Sequence, residues 1–326
     1  MPRRARPPLP PSEPAPIARA GTVALVGRPN VGKSTLLNAL LGERIAITSH
    51  HPETTRDRIA GILTEGDAQF VFLDTPGIHR PRHRLGERMN DVAADAASGA
   101  DVVVFVTDVT AKPDGRARED DRAVLASIPT QTPTVLALNK VDRVRPKALL
   151  MPVLEAYATL RDFAAVVPIS ALKADGRERL LAEVGALLPA GDALHDPEEI
   201  SDRPVRFFVA EFVREQILRR TREEVPHGVA VSVESFEESK KQVRIAVTVD
   251  VAKESHKGIV IGDGGKMLAG IGKAARERVE ALLGRRVHLQ TWVRVSPGWF
   301  NDPNRLADLG YDDAPAPRGP RRGATK

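Results

Sequence analysis

The stretch GRPNVGKS, residues 27–34, decides the fold of the first half of the chain. It fits the pattern G-x-x-x-x-G-K-S and lies between an apolar run and a segment with helical periodicity. In this position glycines let backbone N–H groups surround a phosphate, and the positive end of the following helix attracts it. We therefore expect Lys33 to reach the β and γ phosphates of a nucleotide and Ser34 to bind Mg²⁺.

Three further motifs follow in the order that a guanine-nucleotide site requires. FLDTPG ends an apolar run at Asp74, which can hold magnesium through water, and Gly77 can donate its N–H to a γ-phosphate. In NKVD, Asp142 can accept both the N1–H and the exocyclic amine of guanine, which adenine does not supply. A backbone N–H of ISA, residues 169–171, is expected against the guanine carbonyl.

The polar stretch ITSHHPETTRDR lies between these motifs and has neither helical nor strand periodicity. A loop of this type can close a threonine onto magnesium when a γ-phosphate is present, and can relax after hydrolysis. The sequence does not distinguish Thr54 from Thr55 in this role. His79 and His83, further along, are expected to be polar loop residues.

Apolar runs alternate with amphipathic stretches from residue 21 to residue 188, which predicts an α/β domain with a mainly parallel sheet and helices on both faces. Strands are predicted at 22–27, 68–74, 101–108, 132–140 and 164–170, and helices at 33–42, 118–128, 146–160 and 177–188. A smaller α+β module follows, with helices at 206–221 and 265–284, strands at 228–237, 242–251 and 287–295, and a short apolar turn before residue 262. The predicted boundaries are a disordered leader at 1–20, the α/β domain at 21–187, a linker at 188–204, the α+β module at 205–300, a C-terminal extension at 301–313 and a disordered basic tail at 314–326.

Charge separates the two halves of the chain. The net charge is +5, but residues 21–199 carry −4 and residues 200–300 carry +5, so only the second half suits a polyanion. The chain has no cysteine, which excludes disulfides and thiolate metal sites. It has no apolar run of roughly 20 residues, and prolines occupy the place of a signal peptide, so we expect a cytoplasmic protein.

A second glycine-rich stretch, VIGDGGKML at 260–268, contains G-x-x-G between two apolar helical segments. This arrangement resembles a KH domain, in which a bare turn lets the backbone of single-stranded RNA approach closely. Asp263 places a negative charge there, and its alternative interpretation is an N-cap for the following helix. The residues predicted to bind RNA are Lys257, Ile261, Gly262, Asp263, Gly264, Gly265, Lys266, Lys273 and Arg276.

The ordered motifs GRPNVGKS, TT, DTPG, NKVD and ISA resemble those of translation-factor-class P-loop GTPases. Together with one C-terminal module of the type II KH form and the closing segment WVRVSPGWFNDPNRLADLGY, residues 21–311 resemble the bacterial Era-type GTPases. The resemblance implies a GTP-hydrolysing switch that binds the 3′ end of 16S rRNA and assists assembly of the 30S subunit. It also implies GTP and GDP as ligands, a monomer, peripheral membrane association, and a potassium ion near Asn30.

One position departs from Ras-like switches, because Ile78 follows DTPG where those proteins have a water-orienting glutamine. Slow intrinsic hydrolysis is therefore expected. Ile78 also permits a protein that binds RNA and nucleotide with negligible turnover, and a GTPase acting on another RNA is the second alternative. Lys33, Thr54, Thr55 and Gly77 are the predicted catalytic residues, and Ser34, Thr54, Thr55 and Asp74 the predicted metal ligands. The predicted nucleotide-binding residues are Gly27, Arg28, Pro29, Asn30, Val31, Gly32, Lys33, Ser34, Thr35, Asp74, Thr75, Pro76, Gly77, Ile78, Asn139, Lys140, Asp142, Ser170 and Ala171.

Overall fold

The structure of the protein is a computed structural model that describes residues 17–111, 113–222 and 225–311. The predicted leader up to residue 16 and the predicted basic tail lie outside the described residues. The first half contains β1 (Arg19–Val26), α1 (Lys33–Leu41), β2 (Ile59–Glu65), β3 (Ala68–Asp74), α2 (Arg84–Gly99), β4 (Val102–Asp108), α3 (Glu119–Ala126), β5 (Thr134–Asn139), α4 (Met151–Ala158), β6 (Ala165–Pro168) and α5 (Arg177–Leu187).

These strands form one six-stranded sheet in the order β2-β3-β1-β4-β5-β6. Only β2 runs antiparallel to its neighbour. One face carries apolar side chains of α1 and α5, and the other carries those of α2, α3 and α4. The predicted α/β class with helices on both faces is confirmed, and the carboxyl ends of β1, β3 and β5 bring the predicted motifs to one edge of the sheet.

Two elements of this sheet domain were absent from the sequence prediction. In β2, Gly61 interrupts the apolar run, and a Cβ there would lie 2.7 Å from Leu41 and 2.8 Å from Leu37. In α2 the buried positions are mostly alanines, whose periodicity is a weak signal. The predicted leader is also two residues too long, because Arg19 and Ala20 belong to β1 and Ala20 is buried.

The second half contains α6 (Val205–Arg220), β7 (Val229–Glu238), β8 (Val243–Val251), α7 (Glu254–Ile261), α8 (Lys266–Leu283), β9 (Val287–Val295) and α9 (Pro303–Asp308). Strand β8 pairs antiparallel with β7 and parallel with β9. Helices α6 and α8 contribute apolar side chains to the core behind this sheet. The α+β expectation is confirmed, although the short apolar turn predicted before residue 262 is the helix α7.

The segment that joins the two halves follows the first domain closely. The side chain of Gln69 accepts hydrogen bonds from the backbone N–H groups of Leu194 and His195, and Ile62 donates to the carbonyl of Ile200. At the end of the described chain, Trp299 is fully buried with Leu85 of α2. The closing segment therefore packs against the first domain as well as the second.

No helix among the residues described is long and apolar enough to span a lipid bilayer.

Candidate functional site

The phosphate loop lies between the end of β1 and the start of α1, and close packing explains its glycines. A Cβ on Gly27 would lie 2.2 Å from the backbone oxygen of Val106, and one on Gly32 would lie 2.4 Å from the side-chain nitrogen of Asn139. Gly32 also has a φ of 104°, which side chains disfavour. A bare backbone at both ends of the loop lets its N–H groups approach a phosphate.

Lys33 is the first residue of α1, and its ammonium is buried inside this loop. It donates to the carbonyl oxygens of Gly27 and Arg28, each at 3.0 Å. Burial lowers the pKa of Lys33 to about 8, although the negative charge of Asp74 opposes the shift. A phosphate oxygen would offer this ammonium a stronger partner than the two carbonyls.

Three oxygen-bearing side chains meet beside the loop, from α1, from β3 and from the segment between α1 and β2. Ser34 Oγ donates to Asp74 Oδ2 at 2.7 Å and lies 2.9 Å from Thr55 Oγ1. Thr55 Oγ1 also donates to Asp74 Oδ2, at 3.3 Å. Hydroxyl and carboxylate oxygens are the donors that Mg²⁺ prefers.

Asp74 is fully buried, and its second carboxylate oxygen, Oδ1, has no hydrogen-bond partner within the described part of the chain. Burial raises the pKa of Asp74 to about 6, against the opposing effects of the Ser34 hydrogen bond and the Lys33 charge. An unpartnered buried oxygen is costly unless it meets water or a cation. The arrangement therefore fits a magnesium ion held through water.

Thr54 does not join this group, so its assignment as a metal ligand is corrected. Its hydroxyl donates to the carbonyl of His51 at 2.6 Å and lies 2.7 Å from Ser49 Oγ. Two adjacent residues of an extended segment point their side chains in opposite directions, and here only Thr55 points toward Asp74.

Residues 75–78 lie directly over the phosphate loop. A Cβ on Gly77 would lie 2.5 Å from the backbone nitrogen of Pro29, and Ile78 donates its N–H to the carbonyl of Gly27 at 3.3 Å. The hydroxyl of Thr75 donates to the carbonyl of Leu25 at 2.7 Å. The side chain of Ile78 is partly buried against the apolar core. Because this side chain is aliphatic, it has no polar group with which to orient a water molecule.

At the other end of the site, Asn139 joins the two loops expected to hold the nucleotide. Its Nδ2 donates to the carbonyl of Val31 at 2.7 Å, and its Oδ1 accepts from the N–H of Ala171 at 3.0 Å. Asp142 accepts a hydrogen bond from Ser170 Oγ at 2.7 Å, and that bond lowers the pKa of the Asp142 carboxyl. Asp142 stays partly exposed and ionised, as an acceptor for a guanine edge would have to be.

The backbone N–H groups of residues 169–171, one of which is predicted to meet the guanine carbonyl, all have acceptors within the protein. Ile169 donates to Leu138, Ser170 to Asp175, and Ala171 to Asn139. A guanine carbonyl would have to share or displace one of these acceptors, and the contact stays a prediction.

Two predicted nucleotide-binding side chains point into the protein. Arg28 donates to Asp121 at 2.6 Å and to Asp108 at 3.0 Å, and Lys140 donates to Asp108 and to the carbonyl of Asn30, each at 2.7 Å. Both side chains therefore brace the phosphate loop. Their predicted part in nucleotide binding, which for the loop depends on backbone N–H groups, stays a prediction.

The second glycine-rich turn connects α7 to α8. Gly262, Gly264 and Gly265 all have positive φ, between 56° and 78°, and a Cβ on Gly264 or Gly265 would meet no atom within 4 Å. The turn is thus bare and open on its outer side. The N-cap interpretation of Asp263 is wrong, because Gly265 caps α8 and no side chain bonds to that helix end.

Of the predicted RNA contacts, Lys266 and Lys273 are exposed, and Asp263 is exposed and lies 3.5 Å from the ammonium of Lys266. Lys257 lies 3.8 Å from Glu254, and Arg276 is half-buried. The sequence did not single out Arg220, whose guanidinium lies beside Gly270 on α8.

The two halves of the molecule are joined at the segment that contains Thr55. The next residue, Arg56, is only 2% exposed, and it donates to three carbonyl oxygens of the segment 226–229. Its guanidinium lies 5.6 Å from the ring centre of Trp299. Thr55, a candidate magnesium ligand, is therefore followed directly in the chain by a residue that binds the second domain.

Helix α6 provides a second set of contacts to the same segment. Arg214 donates to the carbonyl of Thr54, and Glu215, fully buried, accepts from the N–H of Thr48 at 3.2 Å. Arg278 of α8 pairs with Glu215. No motif identified these residues, because each lies within a periodic helix where a charge predicts a solvent-facing position.

Comparison with known proteins yields the same division of the chain. A family model described as a 50S ribosome-binding GTPase matches residues 22–140, and a KH domain model matches residues 224–300. The GTPase Era of Staphylococcus haemolyticus is 43% identical over 294 residues, which cover 90% of this chain and 97% of that protein. The chain belongs to the Era family of GTPases.

Solved structures of Era agree with this assignment over both domains. A variant of Aquifex aeolicus Era bound to GDP and AlF4⁻ is 37% identical, with a TM-score of 0.86, and covers 90% of this chain and 99% of that one. Era in complex with MgGDPNP and nucleotides 1506–1542 of 16S ribosomal RNA is 36% identical, with a TM-score of 0.84 and the same coverage. As a member of the Era family, the protein is an enzyme that hydrolyses GTP to GDP and phosphate.

Proposed function

We propose that this GTPase is a magnesium-dependent switch that binds the 3′ end of 16S rRNA through its KH domain and assists assembly of the 30S subunit. The observation that supports it best is the adjacency of Thr55 and Arg56. Thr55 contacts the side chains of Ser34 and Asp74, and the side chain of Arg56 is buried against the KH domain. A movement of this segment on hydrolysis would reach both domains at once.

The residues of the GTP site take distinct roles in this proposal. Lys33 and the loop N–H groups stabilise negative charge on the β and γ phosphates, and Asn139 and Asp142 select guanine. Ser34, Thr55 and Asp74 hold the ion, directly or through water. Magnesium, when bound, neutralises charge that develops on the phosphates. Ile78 offers no general base, so turnover is expected to depend on charge stabilisation and positioning.

One related structure and one feature of this chain support the RNA and magnesium assignments. One related structure contains Era with MgGDPNP and a 16S rRNA segment, at 99% coverage of that chain. In this chain the bare turn at 262–265 and the exposed Lys266 and Lys273 offer the chemistry that a single RNA strand requires.

The test is binding of a labelled RNA matching the 3′ end of 16S rRNA to the full chain, loaded with a non-hydrolysable GTP analogue or with GDP. We expect tighter binding with the analogue, a strong decrease with salt, and a preference over scrambled RNA. Lys33→Ala serves as the control that abolishes turnover. Equal affinity for scrambled RNA would contradict the rRNA assignment and favour another RNA.

Potassium dependence is a separate proposal that rests on Asn30. Its side chain donates to the carbonyl of His50 at 3.0 Å, and its φ is 62°, so this hydrogen bond joins the phosphate loop to the segment between α1 and β2. We expect faster turnover in potassium than in sodium buffer, and equal rates would contradict the proposal. The monomeric state, the cytoplasmic location and the peripheral membrane association stay predictions.

A further inference from the structure

Three arginines meet one buried carboxylate where the two halves of the molecule touch. Arg44 comes from the loop after α1, Arg219 from α6 and Arg278 from α8. Each pairs with Glu215, at 3.6 Å for Arg44 and 2.9 Å for Arg219, and Arg278 makes the closest contact. Among the residues described, no other carboxylate pairs with any of the three arginines. Three positive charges therefore meet one negative charge, which leaves two positive charges in excess at this junction.

The three arginines differ in how far they reach solvent. Arg278 is partly buried, and it donates to the carbonyl of Arg44 at 2.9 Å as well as pairing with Glu215. The side chain of Arg44 is 61% exposed and that of Arg219 is 41% exposed. Arg278 alone can balance the charge of Glu215, so the charges of Arg44 and Arg219 remain available to an anion from solution.

Exposed cations continue from this junction to the glycine-rich turn. Lys266, Gly270 and Lys273 are spaced four and three residues apart, so they lie along one face of α8. The guanidinium of Arg220 lies beside Gly270, and Arg219 precedes Arg220 at the end of α6. We call the exposed side chains of Lys266, Lys273, Arg220, Arg219 and Arg44 the cationic track.

The track suits the phosphate backbone of a nucleic acid. The planar guanidinium of arginine can donate two parallel hydrogen bonds to one phosphate, and it is less strongly hydrated than the ammonium of lysine. A turn of the GxxG type holds only about four nucleotides, whereas α8 rises by roughly 18 Å between Lys266 and Arg278. Exposed Glu43 and Glu277 lie beside the track in sequence, but within the described part of the chain neither pairs with an arginine of the junction. A strand longer than four nucleotides can therefore extend from the turn to the junction.

We propose that Arg44 and Arg219 bind the phosphate backbone of the same RNA that the KH turn binds, so that the GTPase domain contributes directly to RNA affinity. The proposal rests on the RNA binding proposed above and adds a second contact region to it. Arg44 belongs to the same connection between α1 and β2 as Thr55 and Arg56. A movement of that connection with the bound nucleotide would therefore displace an RNA contact directly.

The first experiment measures the affinity of a labelled RNA of about 12 nucleotides, matching the 3′ end of 16S rRNA, at several salt concentrations. The full chain is loaded with the non-hydrolysable GTP analogue. In Arg44→Gln the two other arginines still pair with Glu215, so no buried charge loses its partner. We expect a loss of affinity of roughly threefold to tenfold at low salt, and a salt slope that is smaller by about 0.7. Arg219→Gln should behave in the same way, and Arg44→Lys should keep most of the slope because it keeps the charge.

Arg122→Gln is the matched control for Arg44→Gln. Arg122 is 56% exposed and lies 3.3 Å from Glu119, on α3, which packs on the opposite face of the sheet from α1. The control therefore makes the same change of charge in the same domain but away from the track. We expect its salt slope to equal that of the unaltered protein. Equal slopes in Arg44→Gln and Arg122→Gln would overturn the proposal, and the three arginines would then serve only the contact between the domains.

The second experiment repeats the comparison with an RNA of about four nucleotides, which the turn alone can hold. Its affinity is measured by competition against the labelled RNA. We expect Arg44→Gln and Arg122→Gln to bind this short RNA equally well. The same loss for the short and the long RNA in Arg44→Gln would overturn the proposal, since Arg44 would then act on the turn and not on the strand. Failure of the proposed function is distinguishable, because the unaltered protein would then show no preference for the 16S sequence over scrambled RNA.

Discussion

At the residue scale, Lys33 and Asp74 are two buried charges that face each other beside the phosphate loop. Burial shifts both pKa values toward the neutral forms, to about 8 for Lys33 and about 6 for Asp74. Each charge therefore costs folding free energy at neutral pH. Such a cost is typical of sites prepared for a ligand of opposite charge, here a phosphate and a metal ion.

Asp74→Asn is accordingly expected to stabilise the protein in the absence of nucleotide while abolishing magnesium-dependent turnover. The amide cannot ionise, so it avoids a cost on the order of 1 to 3 kcal/mol near pH 7.5. Thermal unfolding of both proteins measures the difference. Because the pKa of Asp74 is raised, wild-type stability falls as the pH rises from about 4 to 6, and the advantage of the variant should appear over that interval. Equal unfolding midpoints at about pH 7.5 would contradict this account.

Thr55→Ala and Thr54→Ala are predicted to differ although the residues are adjacent. Thr55 contacts Ser34 and Asp74, so its loss should raise the magnesium concentration needed for half-maximal turnover by about tenfold or more. Among the residues described, the Thr54 hydroxyl bonds within its own segment and its carbonyl accepts from Arg214 of α6, so the hydroxyl should matter little for magnesium. A magnesium titration of GTP hydrolysis compares the two variants, and a larger effect of Thr54→Ala would overturn the assignment.

At the element scale, strands and helices with strong apolar periodicity could be predicted, and those whose packing depends on small residues could not. β1 and α1 combine an apolar run with a phosphate-loop motif, so both were found. β2 contains Gly61, and α2 buries alanines that contribute little periodicity. The helix α7 has eight residues and no side-chain cap, so it resembled a turn.

The sequence motifs predicted where the loops of the candidate site lie. They did not predict which partners each side chain and backbone N–H group would have. Arg28 lies within the phosphate-loop motif, yet its side chain is paired with Asp108 and Asp121, which lie at the end of β4 and in α3. The N–H of Ala171 is likewise occupied by Asn139. These partners lie tens of residues away along the chain, so no local pattern could reveal them.

The bare turn between α7 and α8 carries one charge that opposes its proposed ligand. Asp263→Lys is expected to tighten binding of single-stranded RNA by roughly threefold to tenfold at low salt and to steepen the salt dependence. Its side chain is 96% exposed, so the fold should not change. Glu237→Lys, exposed on β7, makes the same change of charge elsewhere in the KH domain. An equal gain in both variants would indicate a non-specific charge effect, and turnover of GTP should be unchanged in each.

At the scale of the whole molecule, α6 and the segment 44–58 connect the two domains. Glu215 of α6 lies among Arg44, Arg219 and Arg278, and so joins both domains through one buried carboxylate. Breaking a buried pair of this kind is costly because it leaves a charge without a partner. When the segment 44–58 moves, the contacts that Glu215 makes with both domains should therefore change together.

Coupling between the domains must also be reciprocal. If the GTP analogue tightens RNA binding by a certain factor relative to GDP, RNA must strengthen binding of the analogue relative to GDP by the same factor. Arg56→Lys keeps the charge but not the forked geometry that reaches three carbonyl oxygens at 226–229, so both factors should fall toward about 1. Fluorescence titrations with labelled RNA and labelled nucleotide measure the two factors independently. Arg58→Lys, in the same segment and only partly buried, is the control. If Arg56→Lys retained both factors, the coupling would have to run through the remaining contacts between the domains, those of α6 and of the closing segment.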